Sequence, residues 1–164
     1  MRIKAYVLVL STALFSMSAG TKKANPSVGI NPGDIAPRIE SLEEGSDIRF
    51  SNHSGRYTLV NFWAVYDGES RMRNVLLCNE VNRLNPDKIA MCSISMDENE
   101  SVFKASIKGD KLVESQQFRS KPKDREKLFE MFKLDKGMNN FLINDRGIIV
   151  ASNIRPQDLF LFLN

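Results

Sequence analysis

Asp67, Glu69 and Ser70 are the side chains best placed for chemistry. They sit where an apolar strand turns into a helix, in Leu59-Val60-Asn61-Phe62-Trp63-Ala64-Val65-Tyr66-Asp67-Gly68-Glu69-Ser70-Arg71. There a carboxylate can act as a general base, and a hydroxyl as a nucleophile if a base lies within hydrogen-bond reach. The chain shows no Ser/His/Asp arrangement to supply one. Its one histidine, His53, falls in a loop by composition, residues 51–55, and reads as a surface residue. A structural role fits these residues better. A helix start leaves N–H groups free and carries a partial positive charge. Asp67 suits the N-cap that accepts those hydrogen bonds, worth ~1 kcal/mol over alanine. Glu69, in the first turn, gains from the same dipole.

The remaining chemistry-bearing groups are two cysteines, Cys78 and Cys92. Cys78 falls about two turns into the helix and Cys92 in the middle of a buried strand. Both places suit small apolar core residues, which free cysteines often are. A disulfide and a reactive thiol stay open as alternatives. The disulfide is the harder, since a helix axis packs about 10 Å above its sheet and the bond needs Cα atoms within ~7 Å. With one histidine there is no His/Cys cluster at metal-ligand spacing, so no metal and no cofactor are expected.

The elements that must position these groups follow from periodicity. Residues 57–65 form a strand apolar on both faces, as an inner strand should be. Residues 70–84 form a helix with Val75, Leu76, Cys78, Val81 and Leu84 on or beside one stripe, ended by Asn85-Pro86. Residues 88–96 form a second buried strand, parallel to the first through the helical crossover. A helix is expected over 99–108, an extended piece over 112–118, and an amphipathic helix over 123–133 packing Leu128, Phe129, Met131 and Phe132. Strands at 140–144 and 148–153 flank the turn Asn144-Asp145-Arg146-Gly147. Pro156 opens a last helix that buries Leu159, Phe160, Phe162 and Leu163 on one side. Before the first strand, 38–50 reads as a short irregular strand pair around Glu43-Glu44-Gly45-Ser46. The fold class is therefore α/β: a central mixed sheet, a parallel βαβ pair plus a C-terminal antiparallel hairpin, flanked by helices.

The 164 residues suit one domain plus extras. Arg2 and Lys4, the apolar run 5–15, and Ser18-Ala19-Gly20 read as a secretory signal peptide over 1–20. That run is too short to span a membrane as a helix, which takes ~20 residues. Residues 21–31 read as a flexible leader and 32–164 as the domain. Loss of the signal segment would lower the net charge from +3 to +1, since Arg2 and Lys4 leave with no acid. So nearly neutral a chain carries no footprint for nucleic acid, and export to the periplasm or beyond a bacterial cell argues the same way.

Three stretches, covering roughly residues 32–154, together resemble the thioredoxin superfamily, in particular its secreted redoxin branch of thiol–disulfide oxidoreductases and peroxiredoxin relatives. Gly33-Asp34-Ile35-Ala36-Pro37 is similar to that branch's opening, 57–71 to its strand-turn-helix, and Asn140-Phe141-Leu142-Ile143-Asn144-Asp145-Arg146-Gly147-Ile148-Ile149-Val150 to its closing hairpin. The resemblance implies redox chemistry by a Cys-x-x-Cys pair, and here those two places carry Asp67 and Ser70. The family's cis-proline position falls on Met138, where a trans bond is expected because a cis bond before a non-proline residue costs ~3 kcal/mol. A peroxidatic cysteine in the first turn is missing too, as 67–74 contains none.

Thiol exchange needs one thiolate to attack and a second thiol to resolve, and neither a carboxylate nor a hydroxyl does either. The resemblance thus implies a redox-inactive binding or chaperone-like module. Its face would be the family's substrate groove near Trp63, Tyr66, Glu69, Met138 and Asn139, and its partner an envelope protein or an extended peptide. Trp63 itself is expected to pack at the strand end. Two enzyme readings stand beside this one: redox turnover through Cys78 or Cys92, and acid–base or hydrolytic chemistry at Asp67, Glu69 and Ser70.

Overall fold

The computed structural model describes residues 25–163, apart from 41, 44–47, 49 and 52. The signal-peptide reading of 1–20 and the first four leader residues, 21–24, lie outside the described residues, as do positions 44–46 of the predicted Glu43–Ser46 turn.

The chain runs β1 (Tyr57–Trp63), α1 (Gly68–Arg83), β2 (Ile89–Ser95), α2 (Glu100–Gly109), β3 (Gln117–Arg119), α3 (Arg125–Phe132), β4 (Asn140–Ile143) and β5 (Ile149–Ser152). Short 3-10 turns precede β3, precede and follow α3, and close the chain at Pro156–Phe162. The last segment was expected to be an α-helix; it is a 3-10 helix that buries Leu159 and leaves Phe160 exposed.

The five strands lie in the order β3-β2-β1-β4-β5. β1 and β2 are parallel, joined over α1, with Tyr57 opposite Ile89 and Trp63 opposite Ser95. β3 extends the parallel half, so residues 112–118 end as a true edge strand. β4 runs antiparallel to β1, and β5 to β4. The β4–β5 turn closes by a Gly147 N–H to Asn144 carbonyl bond of 2.9 Å, while the Asn144 side chain accepts from Arg146 and Ile148. Gly147 sits at φ +81°, a conformation only glycine adopts freely. Upstream, Ile39 and Ile48 pair as the irregular strand reading expects, and Ser27 and Gly29 exchange backbone bonds with Ile35.

Side-chain alternation along the strands sorts the core into two faces. Val60, Phe62, Cys92, Ile94, Phe141 and Ile143 pack under Leu128 and Phe132 of α3. The rings of Phe62, Phe132 and Phe141 stack there, with Phe62 and Phe132 centroids 4.7 Å apart. Leu59, Met91 and Leu142 face the other way, against Leu77, Cys78 and Val81 of α1. Trp63 faces that side as well, packed on Phe103 and Ile107 of α2.

The buried face of α1 differs from the apolar stripe expected for it. Ser70, Asn74, Leu77, Cys78 and Val81 are buried, whereas Leu76 is exposed and Val75 half-buried. Two of these five buried residues, Ser70 and Asn74, are polar. The partners of Asn74 are polar too: Asn61 of β1 donates to Asn74 Oδ1 at 3.0 Å, the Ser93 hydroxyl of β2 donates to the same oxygen, and Asn74 Nδ2 donates to Gln117 Oε1 of β3 at 3.2 Å. Gln117 Nε2 continues to Cys78 Sγ at 3.3 Å. Buried polar groups persist when paired in this way, and such a hub fixes how the helix sits on its sheet.

Candidate functional site

Where β1 ends, the chain makes a tight turn held from two sides. The Val65 N–H reaches both carboxylate oxygens of Asp97 at 3.0 Å, and Asp97, buried, also accepts from the Ser95 hydroxyl at 2.7 Å. The Asp67 N–H returns to the Ala64 carbonyl at 3.2 Å. Asp67 then caps α1 from an extended backbone, its Oδ1 accepting from the Ser70 N–H at 3.4 Å. Ser70 is 1% exposed, and its hydroxyl is spent on the same turn: it donates to the Asp67 carbonyl at 3.0 Å and accepts from the Ala64 N–H at 3.2 Å.

That geometry speaks against a nucleophilic serine. The hydroxyl proton points at a carbonyl rather than at a base. His53 lies at the far end of the sheet, its N–H bonded to the Asp145 carbonyl in the β4–β5 turn. Glu69 is exposed and pairs loosely with Arg73 one turn on, at 3.8 Å.

Around the α1 tip lies a hollow of about 480 Å³, walled by the tip itself, by residues 136–140 and by residues 153–156. It gathers Asp67, Glu69, Ser70, Met138 and Asn139, the residues expected there, and adds Arg73 and Arg155. Asn140 braces its floor, donating to the Ile154 carbonyl at 3.1 Å and accepting from the Ile154 N–H at 2.8 Å. Arg155 holds Asp158 at 2.6 Å while its side chain remains largely exposed. Arg73 and Arg155 went unnoticed in the sequence because each enters through a loop or helix face whose neighbours are distant in the chain. The spacing of Arg73 four residues after Glu69 was the one local signal available.

Trp63 packs at the strand end as expected: it is fully buried, its ring 6.2 Å from that of Phe103, because its position on β1 turns it toward α2, so it does not line the groove. Met138, expected at the surface, touches the hollow but is 7% exposed, since its side chain fills the core under α3. The peptide bond before it is trans, as expected. Asn139 is half-buried, and its carbonyl accepts from the Phe62 N–H at 3.1 Å. Tyr66 is 69% exposed and borders a second hollow, with Met96, Asp97 and Phe129. Partial burial raises its hydroxyl pKa, Asp97 adds to the rise, and Arg125 opposes it.

The cysteines are free, buried and on opposite faces of the sheet, Cys78 under α1 and Cys92 under α3. The sheet separates them, so they cannot pair. Burial pushes the Cys78 thiol up to about 11, against a smaller lowering by the Gln117 hydrogen bond. Burial alone pushes Cys92 up as well. Neither offers the thiolate that exchange requires. Among the described residues no three His, Cys, Asp or Glu side chains converge as metal ligands, and no helix is long and apolar enough to cross a membrane.

Comparison with known proteins places this architecture. No family model and no curated protein matches the chain. Solved structures do. A thioredoxin-like protein from Parabacteroides distasonis is 55% identical, over 82% of this chain and 96% of that one, with a TM-score of 0.75. The thioredoxin domain of a thiol–disulfide oxidoreductase from Bacteroides vulgatus shares the fold at 22% identity, over 83% of this chain and all of that one, with a TM-score of 0.70. A thiol:disulfide interchange protein from Bacteroides sp. does so at 24% identity, 81% and 88% coverage and a TM-score of 0.67.

Proposed function

This chain belongs to the thioredoxin-like family, and we propose that within it the chain serves as an exported, redox-inactive binding module for an extended peptide or an unfolded envelope protein. One observation carries the reading. The polar groups at the α1 tip are consumed in closing the helix, Asp67 as cap and Ser70 as a buried clip. No cysteine lies there, yet an open hollow remains beside the tip. A site with a groove and no reactive group binds without turnover.

Export rests on the signal-like segment 1–20, followed by the leader 21–31 and the domain 32–164. Within the groove, Arg73 and Arg155 suit carbonyl oxygens or an acidic side chain of the bound segment. Tyr66, on the adjoining rim, adds an exposed aromatic edge.

The test is insulin turbidity after reduction by dithiothreitol. A thiol-exchange catalyst hastens precipitation of the released B chain, whereas a peptide-binding module delays it, so the two readings differ in sign. The expected result is delay by the wild type, weakened in Tyr66→Ala/Arg155→Glu. Acceleration that Cys78→Ser abolishes would overturn the reading in favour of a redox enzyme.

A further inference from the structure

A third concavity lies at the opposite end of the molecule. β4 is antiparallel to β1, with Asn140 opposite Asn61 and Ile143 opposite Thr58. The β4–β5 turn therefore sits at the end of the sheet remote from the α1 tip. Beside that turn opens a hollow of about 820 Å³, between the segment around Ile35 and the outer face of α3. Ligand sites of small molecules commonly have ~300–1,000 Å³.

Its chemistry is that of an amphipathic anion. Ala36, Phe50 and Met131 supply apolar walls, and Met131 is an adaptable filler. Val28 and Ile35 border it as exposed apolar residues, 69% and 37% exposed. At the rim stand Arg38, Lys127 and Arg146 against one acid, Glu40. Arg38 takes up Glu40 at 3.6 Å. Among the described residues Lys127 and Arg146 have no carboxylate partner, so two exposed cations overlook an apolar hollow.

The backbone narrows the ligand class. A peptide would look for free N–H and C=O groups along the wall. Here the Ala36 N–H is bonded to the Gly147 carbonyl at 2.9 Å, the Gly29 N–H to the Ile35 carbonyl at 3.0 Å, and the Ile35 N–H to the Ser27 carbonyl at 2.8 Å. With those groups already paired, that part of the wall favours a ligand without hydrogen-bonding groups along its length.

We propose that this hollow binds a free fatty carboxylate, its chain against Ala36, Phe50 and Met131 and its head group at Lys127 and Arg146. The site is independent of the α1 groove.

Isothermal titration of the full-length protein with dodecanoate, below its micelle concentration, tests it. The expected result is saturable binding of one equivalent per chain, weakened about tenfold in Lys127→Glu/Arg146→Glu by loss and reversal of two exposed charges. Both positions are exposed, so the variant should fold, and its circular dichroism spectrum verifies that. Ile35→Trp, which narrows the mouth without adding charge, should weaken binding as well. Dodecyltrimethylammonium, with the same tail and opposite charge, should not bind. Absence of saturable binding, equal binding of the ammonium compound, or an affinity indifferent to both variants would overturn the assignment. So would co-sedimentation with phosphatidylglycerol vesicles without uptake of monomeric dodecanoate, which would make the patch a membrane contact instead.

Discussion

Replacing Asn74 with leucine probes the polar hub that seats α1 on the sheet. The two side chains are of similar size, so no large cavity opens and hydrogen bonding is what changes. Asn74 is fully buried. Its loss strips the Asn61 amide and the Ser93 hydroxyl of the oxygen they share, and strips Gln117 Oε1 of its donor. Each buried polar group left unpaired costs roughly 1–3 kcal/mol. Three such groups give a loss of about 3–6 kcal/mol once partial rearrangement toward one another is allowed. For a domain of this size, 1 kcal/mol moves the melting temperature by about 2–4 °C, so a drop of roughly 6–24 °C is expected. Urea unfolding followed by tryptophan fluorescence reads it well, because Trp63 is the chain's one tryptophan and is buried beside α2. A second variant, with Asn61, Ser93 and Gln117 also made apolar, should regain much of the stability, since a fully apolar replacement leaves nothing unpaired. A loss below about 1 kcal/mol in Asn74→Leu, or no recovery in the multiple variant, would refute the hub as a source of stability.

Other consequences follow from the same structure. At pH 8 the native protein should leave Ellman's reagent nearly untouched, with both thiols reacting once guanidinium is added. With Cys78 held near 11, its thiolate is on the order of 0.1% of the population. The same shift makes stability fall with alkalinity: burial raises the folded pKa above the ordinary value of 9.0, so the contribution is complete below pH 9 and lost as the pH climbs toward 11. It amounts to about 3 kcal/mol. Cys78→Ala should reduce that slope in urea titrations at pH 8 and 10.5, leaving the part that buried Cys92 supplies. Asp67→Ala should cost about 1 kcal/mol and Asp67→Asn only a few tenths, if capping rather than charge is what Asp67 supplies. Equal losses in thermal melts would point to charge.

The α1 tip was legible in advance because capping is local. Asp67 and Ser70 are three residues apart, and the cap bond needs nothing beyond the turn that contains them. The buried side of α1 was not legible. Asn74 in isolation reads as a solvent-facing polar residue, and what makes it a core residue is Gln117, 43 positions later, together with Asn61 and Ser93 from two separate strands. Met138 was misjudged as surface for a related reason. Proximity to a site along the chain does not state which way a side chain turns, and it turns inward.

Hydrophobic period, turn residues and capping chemistry are short-range properties, so the amino-acid sequence by itself determined the element order, the parallel pair with its trailing hairpin, and a helix tip without cysteine. Tertiary structure alone decided that the two thiols lie on opposite faces, that the buried face of α1 carries a polar hub at Asn74, and that Arg73 and Arg155 line one hollow. These depend on which distant strands become neighbours. Burial turns a polar side chain from a solvated group into one that must find a partner, and that condition exists only after the sheet has assembled.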